Sequence, residues 1–395
     1  MVNPSVEQIR NFRLRSHHVD AWYAPCDVAA VVGACGMQNT PPGAWEASLH
    51  NRIPELCRTD MDRTLNDEKT LLQAWSLRGA PVIFPVKESA VFLSALVPQE
   101  GEPWLYTRGI GLALDALGMG FNELLSALRQ VMPGLDDQTI VSKVALDQTL
   151  ADWMEPLLPA EKRDAWRLPS MYGAPDVQTV GGAVVSFLLR PCALLGLVVF
   201  GKRDGASPSF TSYRRWTGGV LQSTADASKA LVRKFLHCYG PTTADAFASW
   251  TGCSGAQARR MWKAVADEME PVEVLGERAF MLAADMDALE AAEPPKRELL
   301  LLGGHDPYLD QRDRFVLLPD KARHRQVWRT VANPGAVVRH GEVVGIWSSK
   351  KKGRGRVFSI TLWDGSVDRR MLEDLVGQQA AFRRETLLGV KVQAG

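Results

Sequence analysis

At 395 residues the chain is too long for one ordinary hydrophobic core, so about two to four domains are expected. An apolar content of 46% and a charged content of 23% exclude a disordered chain, and a formal net charge of +1 means that any nucleic-acid contact must come from basic residues gathered on one face. No apolar run approaches the ~20 residues of a bilayer span, residues 1–10 lack a signal-peptide pattern, and the six cysteines (26, 35, 57, 192, 238 and 253) show no CxxC pairing, so a soluble intracellular protein with buried reduced thiols is expected.

Residues 5–22 read as an amphipathic helix in which Val6, Ile9, Phe12 and Leu14 alternate with arginines, followed by His17-His18. Adjacent helical residues point in different directions, so this His pair reads as a packing or solvated feature rather than a metal site. A second helix spans 27–33, stopped by Gly33 or Gly36. Then comes Cys35-Gly36-Met37-Gln38-Asn39-Thr40-Pro41-Pro42-Gly43, three polar side chains held in a stiff stretch. Such a turn is either a positioned polar site or a helix cap in which Asn39 or Thr40 precedes a helix opened by Pro41. Helices are expected over 44–52, 59–66 and 68–77, and the segment from Arg78 to Pro85 turns into a short strand.

Further helices fall at 121–132, 147–158 and 182–195. A strand entering a hairpin follows at 196–203, with its return at 210–216 carrying Arg214 and Arg215. The stretch 228–282 is the most legible. Its helices are expected over 229–239, over a span capped by Thr242 or Thr243 and ended by Gly252, and over 255–268 after Ser254. An alternating hairpin about Gly276 follows. Gln257, Arg259, Arg260 and Lys263 form the polar face of that third helix. Three short helices and a hairpin make a winged helix, a helix-turn-helix variant. The same order occurs up to three times at a period of roughly 100 residues. After a linker at 288–297 the texture becomes strand-rich, with strands at 299–302, 315–318, 336–339, 342–347 and 356–362. Between the last two lies the most basic segment, with Lys350, Lys351, Lys352, Arg354 and Arg356, which is either a hairpin tip facing phosphates or a solvated loop.

Several of these motifs occur in one order: Gln38 after Cys35-Gly36-Met37, Trp75-Ser76-Leu77-Arg78-Gly79, Tyr213-Arg214-Arg215-Trp216, Tyr239-Gly240-Pro241-Thr242-Thr243, and Asp306-Pro307-Tyr308-Leu309-Asp310-Gln311-Arg312-Asp313-Arg314. Together they resemble the AlkZ-like (YcaQ-like) winged-helix DNA glycosylases over nearly the whole chain. The resemblance implies an α+β, mainly helical protein whose tandem winged-helix repeats form a C-shaped clamp, with a C-terminal β-rich module. The corresponding division is 1–110, 111–222, 223–293 and 294–395. It also implies excision of bulky N-alkylated purines or unhooking of interstrand cross-links.

The family's Gln-x-Gln or Gln-x-Asp motif falls on Gln38, Asn39 and Thr40. Gln38 matches the first position as the positioner of a water, while Thr40 departs from the second, and Val82 stands where a His is common. Glu46 supplies a carboxylate if its side chain faces Gln38. DNA contacts are expected from Arg78, Arg259, Arg260, Lys263, Arg312, Arg314, Lys350, Lys351, Lys352, Arg354 and Arg356. The expectation is a monofunctional glycosylase acting on double-stranded, alkylated or cross-linked DNA. It has no metal, cofactor, membrane or obligate protein partner, and works in the cytoplasm at the nucleoid. The alternative is a winged-helix DNA-binding regulator without hydrolysis, on the ground of Thr40.

Overall fold

The Ser5 hydroxyl accepts a hydrogen bond from the backbone N–H of Gln8 (3.1 Å), and the Gln8 side chain accepts one from the N–H of Ser5 (2.9 Å). This reciprocal cap starts the first helix, Val6–Ser16. The helix stops well short of the expected residue 22 because the backbone turns left-handed at His18 (φ +56°). His17 is buried, its ring edge-on to Tyr239 (4.7 Å) and Tyr308 (5.6 Å), as a packing role requires. The computed structural model describes residues 2–173, 175–310 and 313–395. Its architecture is mixed α and β, in two compact units built from interleaved segments. One consists of Met1–Arg63, Val232–Trp250 and Met261–Gly395, the other of Thr64–Leu231 and Thr251–Arg260.

In the first unit, five strands form one sheet in the order Thr386–Ala394, Gly355–Leu362, Glu342–Lys352, Gly335–Arg339, Leu299–Leu302. Leu299 and Leu301 enter one core with Phe358, Leu372 and Val376, while Leu300 and Leu302 enter another with Leu14, Tyr308 and Val338. The unbroken Leu run is therefore a strand covered on both faces. The pairs are antiparallel except Gly355–Leu362 with Thr386–Ala394, which is parallel. A parallel neighbour needs a crossover, and Arg369–Phe382 supplies it as a helix. Neither this helix nor the last strand was expected from the sequence, whose charged residues there mask the buried Leu372, Val376 and Ala380.

The second unit gathers Phe121–Val131, Lys143–Met154, Ala160–Arg167 and Val180–Leu194 around one apolar core. The hairpin Val199–Asp204 with Ser207–Thr211 joins them, flanked by Ile140–Val141. Three expectations fail for one reason: short apolar runs do not reveal their period, and tertiary pairing decides. Residues 68–77 are not a helix; Leu71–Trp75 is a strand paired antiparallel with Pro81–Pro85, and four of its five side chains are buried. The 210–216 strand ends at Thr211, where the Ser212 hydroxyl caps a helix, Tyr213–Thr217. The expected strand at 315–318 is part of a helical turn, Arg314–Leu317.

Over 227–282 the elements follow the expected order. The helices are Ala227–Tyr239, Ala244–Thr251 and Gly255–Lys263, with Thr243 and Ser254 capping the second and third. Strands Met269–Val274 and Glu277–Leu282 pair in antiparallel fashion about Leu275-Gly276. Gly276 (φ +83°) takes the left-handed turn position that a side chain would strain. The cysteines are all free, but Cys26 and Cys57 are exposed rather than buried, because both sit in polar turns at helix starts.

Arg52 ties the N-terminal helices to the loop ahead of Tyr308. Its Nη1 and Nη2 each donate to an Asp306 carboxylate oxygen at 2.9 Å, its Nε donates to the His17 carbonyl, and Nη1 also donates to the Ser48 carbonyl. Both side chains are essentially inaccessible. Burial by itself would raise the Asp306 carboxyl, but the guanidinium and the Tyr308 N–H hold it below the ordinary carboxylate range. Asp306 is thus a structural residue. Asp306→Asn leaves the Arg52 charge buried and half-paired, and should lower the unfolding free energy by about 3–5 kcal/mol, read from denaturant midpoints. Because the folded-state carboxyl titrates below its unfolded value, wild type keeps this contribution at neutral pH and loses it only as pH falls through the depressed value, a loss the variant should not show.

Candidate active site and nucleic-acid interface

Gln38 ends a two-residue strand, Met37–Gln38, and is half-buried. Its Nε2 lies 3.3 Å from His305 Nδ1. Asn39 is buried, and its Oδ1 accepts from the N–H of Gly43 at 2.7 Å, which closes the turn ahead of the helix Ala44–His50. The cap position of that helix is Gly43 (φ +90°), neither Asn39 nor Thr40, and the helix begins after Pro41 rather than at it. Thr40 is exposed, on a cis peptide bond to Pro41. The three adjacent polar residues therefore part company: one holds His305, one closes the turn at Gly43, one faces solvent.

His305 and the Pro41–Gly43 turn line a cavity of about 560 Å³ within the first unit. Its walls carry two ionic groups. On one side Glu46 Oε2 accepts from Arg58 Nε at 2.6 Å. On the other Arg356 forks onto Glu385 and donates through Nη1 to Ser349 Oγ (2.8 Å), while Arg383 lies beside them. The hydrogen bond from Arg356 is the main influence holding the Glu385 carboxyl down. Burial pushes Arg383 down, and Arg356 reinforces this. Nearby, His50 stacks on Phe382 at 4.1 Å and burial drives it to about 4, so it is neutral at physiological pH. Glu46 shares the cavity with His305, and Gln38 reaches that wall through His305. Among the described residues, no group of three or more His, Cys, Asp or Glu side chains is placed to hold a metal, and no helix is long and apolar enough to cross a membrane.

The expected DNA-contacting residues fall into two classes. The polar face of Gly255–Lys263 divides: Gln257 is buried, donating to the Leu96 carbonyl (3.1 Å), and Arg260 forks onto Glu102 with both contacts at 2.8 Å. Arg259 and Lys263 remain exposed. Arg314 lies over the Trp328 ring at 4.9 Å. Arg78 is half-buried at φ +56°, with its Cα where a side chain on Gly252 would stand, so Gly252 permits that close approach. The basic segment is the tip of a long hairpin, Glu342–Lys352 with Gly355–Leu362, and not a loop between strands. Lys350, Lys351, Lys352 and Arg354 are exposed there, Lys351 3.8 Å from Glu385. Arg312 lies outside the described residues. His305 was not singled out from the sequence; its place directly before Asp306 was the available signal.

A family model described as DNA glycosylase AlkZ-like matches residues 31–386. The chain belongs to the AlkZ-like DNA glycosylase family. Members of this family are hydrolases of N-glycosyl bonds in DNA. An interstrand DNA cross-link repair glycosylase of Streptomyces sahachiroi is 26% identical over 357 residues, covering 87% of each chain. The solved structure of Streptomyces sahachiroi DNA glycosylase AlkZ superposes with a TM-score of 0.75 at 21% identity, over 99% of this chain and 100% of that one, and shares its fold. In an AlkZ-like enzyme exposed cations outside ion pairs are the ones expected to meet phosphate. Arg259→Ala or Lys350→Ala should weaken duplex binding and flatten the log–log salt dependence by about 0.9 per contact removed. Arg260→Ala, which breaks a pair with Glu102, should instead lower thermal stability and leave the salt slope nearly unchanged, as anisotropy titrations at several salt concentrations would read.

Proposed function

We propose that this glycosylase hydrolyses the N-glycosidic bond of bulky N-alkylated purines or unhooks interstrand cross-links, with Gln38 positioning the attacking water. The observation that carries the reading is the half-buried Gln38 amide, fixed beside a polar cavity in a chain of the AlkZ-like family. The name of the Streptomyces sahachiroi relative supports the cross-link substrate. Alkylation at purine N7 makes the base cationic, so the C1′–N bond breaks with its electron pair leaving on the base. Water then forms the new C1′–O bond and gives up its proton to solvent. The sugar passes through oxocarbenium character, and what remains for the protein is to hold the water and favour positive charge. A Gln amide can accept from and donate to a water. Thr40 offers a hydroxyl without charge. Glu46, paired with Arg58 on the wall of the cavity that His305 also lines, is the carboxylate assigned to favour that cation.

Three helices followed by an antiparallel hairpin over 227–282 support a winged helix there. The wider arrangement we propose is tandem winged-helix modules at 1–110, 111–222 and 223–293 with a C-terminal β-rich module at 294–395, shaped as a clamp around duplex DNA in the nucleoid-bearing cytoplasm. Exposed Arg259, Lys263, Lys350, Lys352 and Arg354 support duplex binding through phosphates.

The test is incubation of purified protein with a duplex carrying N7-alkylguanine, scored for free base and abasic sites. Wild type should release base, Gln38→Ala should lower the rate on the order of 10²-fold or more, and Arg325→Ala, an exposed residue far from the motif in sequence, should not change it. Binding without release at every lesion tried would favour the non-hydrolytic regulator. Glu46→Gln should slow excision by removing the charge; an unchanged rate would take Glu46 out of the chemistry.

A further inference from the structure

We infer that His305 is the positioning residue that sets which end of the Gln38 amide meets the attacking water. The inference rests on the proposed hydrolysis and adds a residue to it. Gln38 Nε2 faces His305 Nδ1 at 3.3 Å, and an amide nitrogen is a donor only, so the ring nitrogen is the acceptor. The imidazole is then neutral, with its proton on Nε2. An amide whose nitrogen is held in this way turns its carbonyl oxygen away from the ring, and that oxygen is the end able to accept a hydrogen bond from water and to offer negative partial charge to a cationic sugar. The reversed amide would aim N–H groups at the same place, which disfavours both a water proton and an oxocarbenium.

His305 is itself well placed to hold this orientation. It belongs to the loop Gly303-Gly304-His305-Asp306, and the next side chain is anchored by two charge-assisted hydrogen bonds from Arg52. Gly304 lets that loop run against the backbone of Asn333 and Pro334: a Cβ there would come within 2.6 Å of both carbonyl oxygens. The loop is therefore fixed from two sides, as a residue that locks another's rotamer must be. Among the described residues, the charged groups near His305 are the Asp306–Arg52 pair behind it, Glu46 with Arg58 from the N-terminal segment, and Arg356, Arg383 and Glu385 on the wall of the same cavity. When His305 is protonated, both ring nitrogens are donors, so Nδ1 can no longer accept and the amide must turn round.

The experiment is single-turnover excision of N7-alkylguanine from duplex across a pH series by wild type, His305→Ala, His305→Asn and Gln38→Ala, with duplex Kd and thermal unfolding measured alongside. His305→Ala should lower the excision rate at least about tenfold with Kd and Tm near wild type, since orientation and not binding is lost. His305→Asn keeps a hydrogen-bond acceptor that does not titrate. It should recover most of the rate and abolish the acid-side fall that wild type shows. His305→Ala that excises at the wild-type rate overturns the role, as does a folded His305→Asn no better than His305→Ala, or an acid limb that persists in His305→Asn. Those results leave the glycosylase reading standing as long as Gln38→Ala is slow. Wild type that releases no base from any lesion overturns the glycosylase reading and this role with it.

Discussion

The buried pair between Arg52 and Asp306 is the constraint on which the site depends. Two charges taken out of water are tolerable only when further hydrogen bonds accompany their pairing, and here the guanidinium also serves the carbonyls of His17 and Ser48 while Asp306 accepts from the Tyr308 N–H. The result is a fixed distance between the N-terminal helices and the loop bearing His305. Gln38 meets His305 because Arg52 meets Asp306, one residue on. A hydrophobic contact in the same place would pack as well but would not set orientation, since dispersion has no direction.

That constraint is extended by its neighbours. Asn51 donates to the Leu301 carbonyl and accepts from Gln379, and Arg297 donates to the Asn51 carbonyl, so consecutive residues 51 and 52 join the first strand of the sheet, its crossover helix and the His305 loop. The sheet in turn carries the basic hairpin and the Arg356–Glu385 pair that closes the cavity wall. Polar groups rather than the cores therefore fix the relation between the glutamine motif and the cavity.

Charge pairing also sorts the basic residues. A positive side chain inside a short, forked ion pair has already exchanged its water for a carboxylate, so offering it to phosphate means breaking that pair first. Arg260 with Glu102 and Arg356 with Glu385 and Ser349 are of this kind. Arg259, Lys263, Lys350 and Lys352 are exposed and can displace counterions from phosphates on binding. Sequence alone treats all of these cations alike, because the acidic partners lie far away in the chain.

Local rules were enough for the features that depend on neighbours in sequence: the Ser254 cap, the Gly276 hairpin, the three helices of 227–263 and the Leu299–Leu302 strand. The family, too, was legible from motifs in order. The sequence also told which residue types stood near Gln38, but not their tasks. That Gln257 is buried and that residues 71–75 pair as a strand were decided by partners contributed from elsewhere in the chain. His305 shows the limit most plainly: it stands 267 positions from Gln38, and only folding brings an imidazole lone pair to that amide, because no local periodicity encodes a hydrogen bond across such a separation.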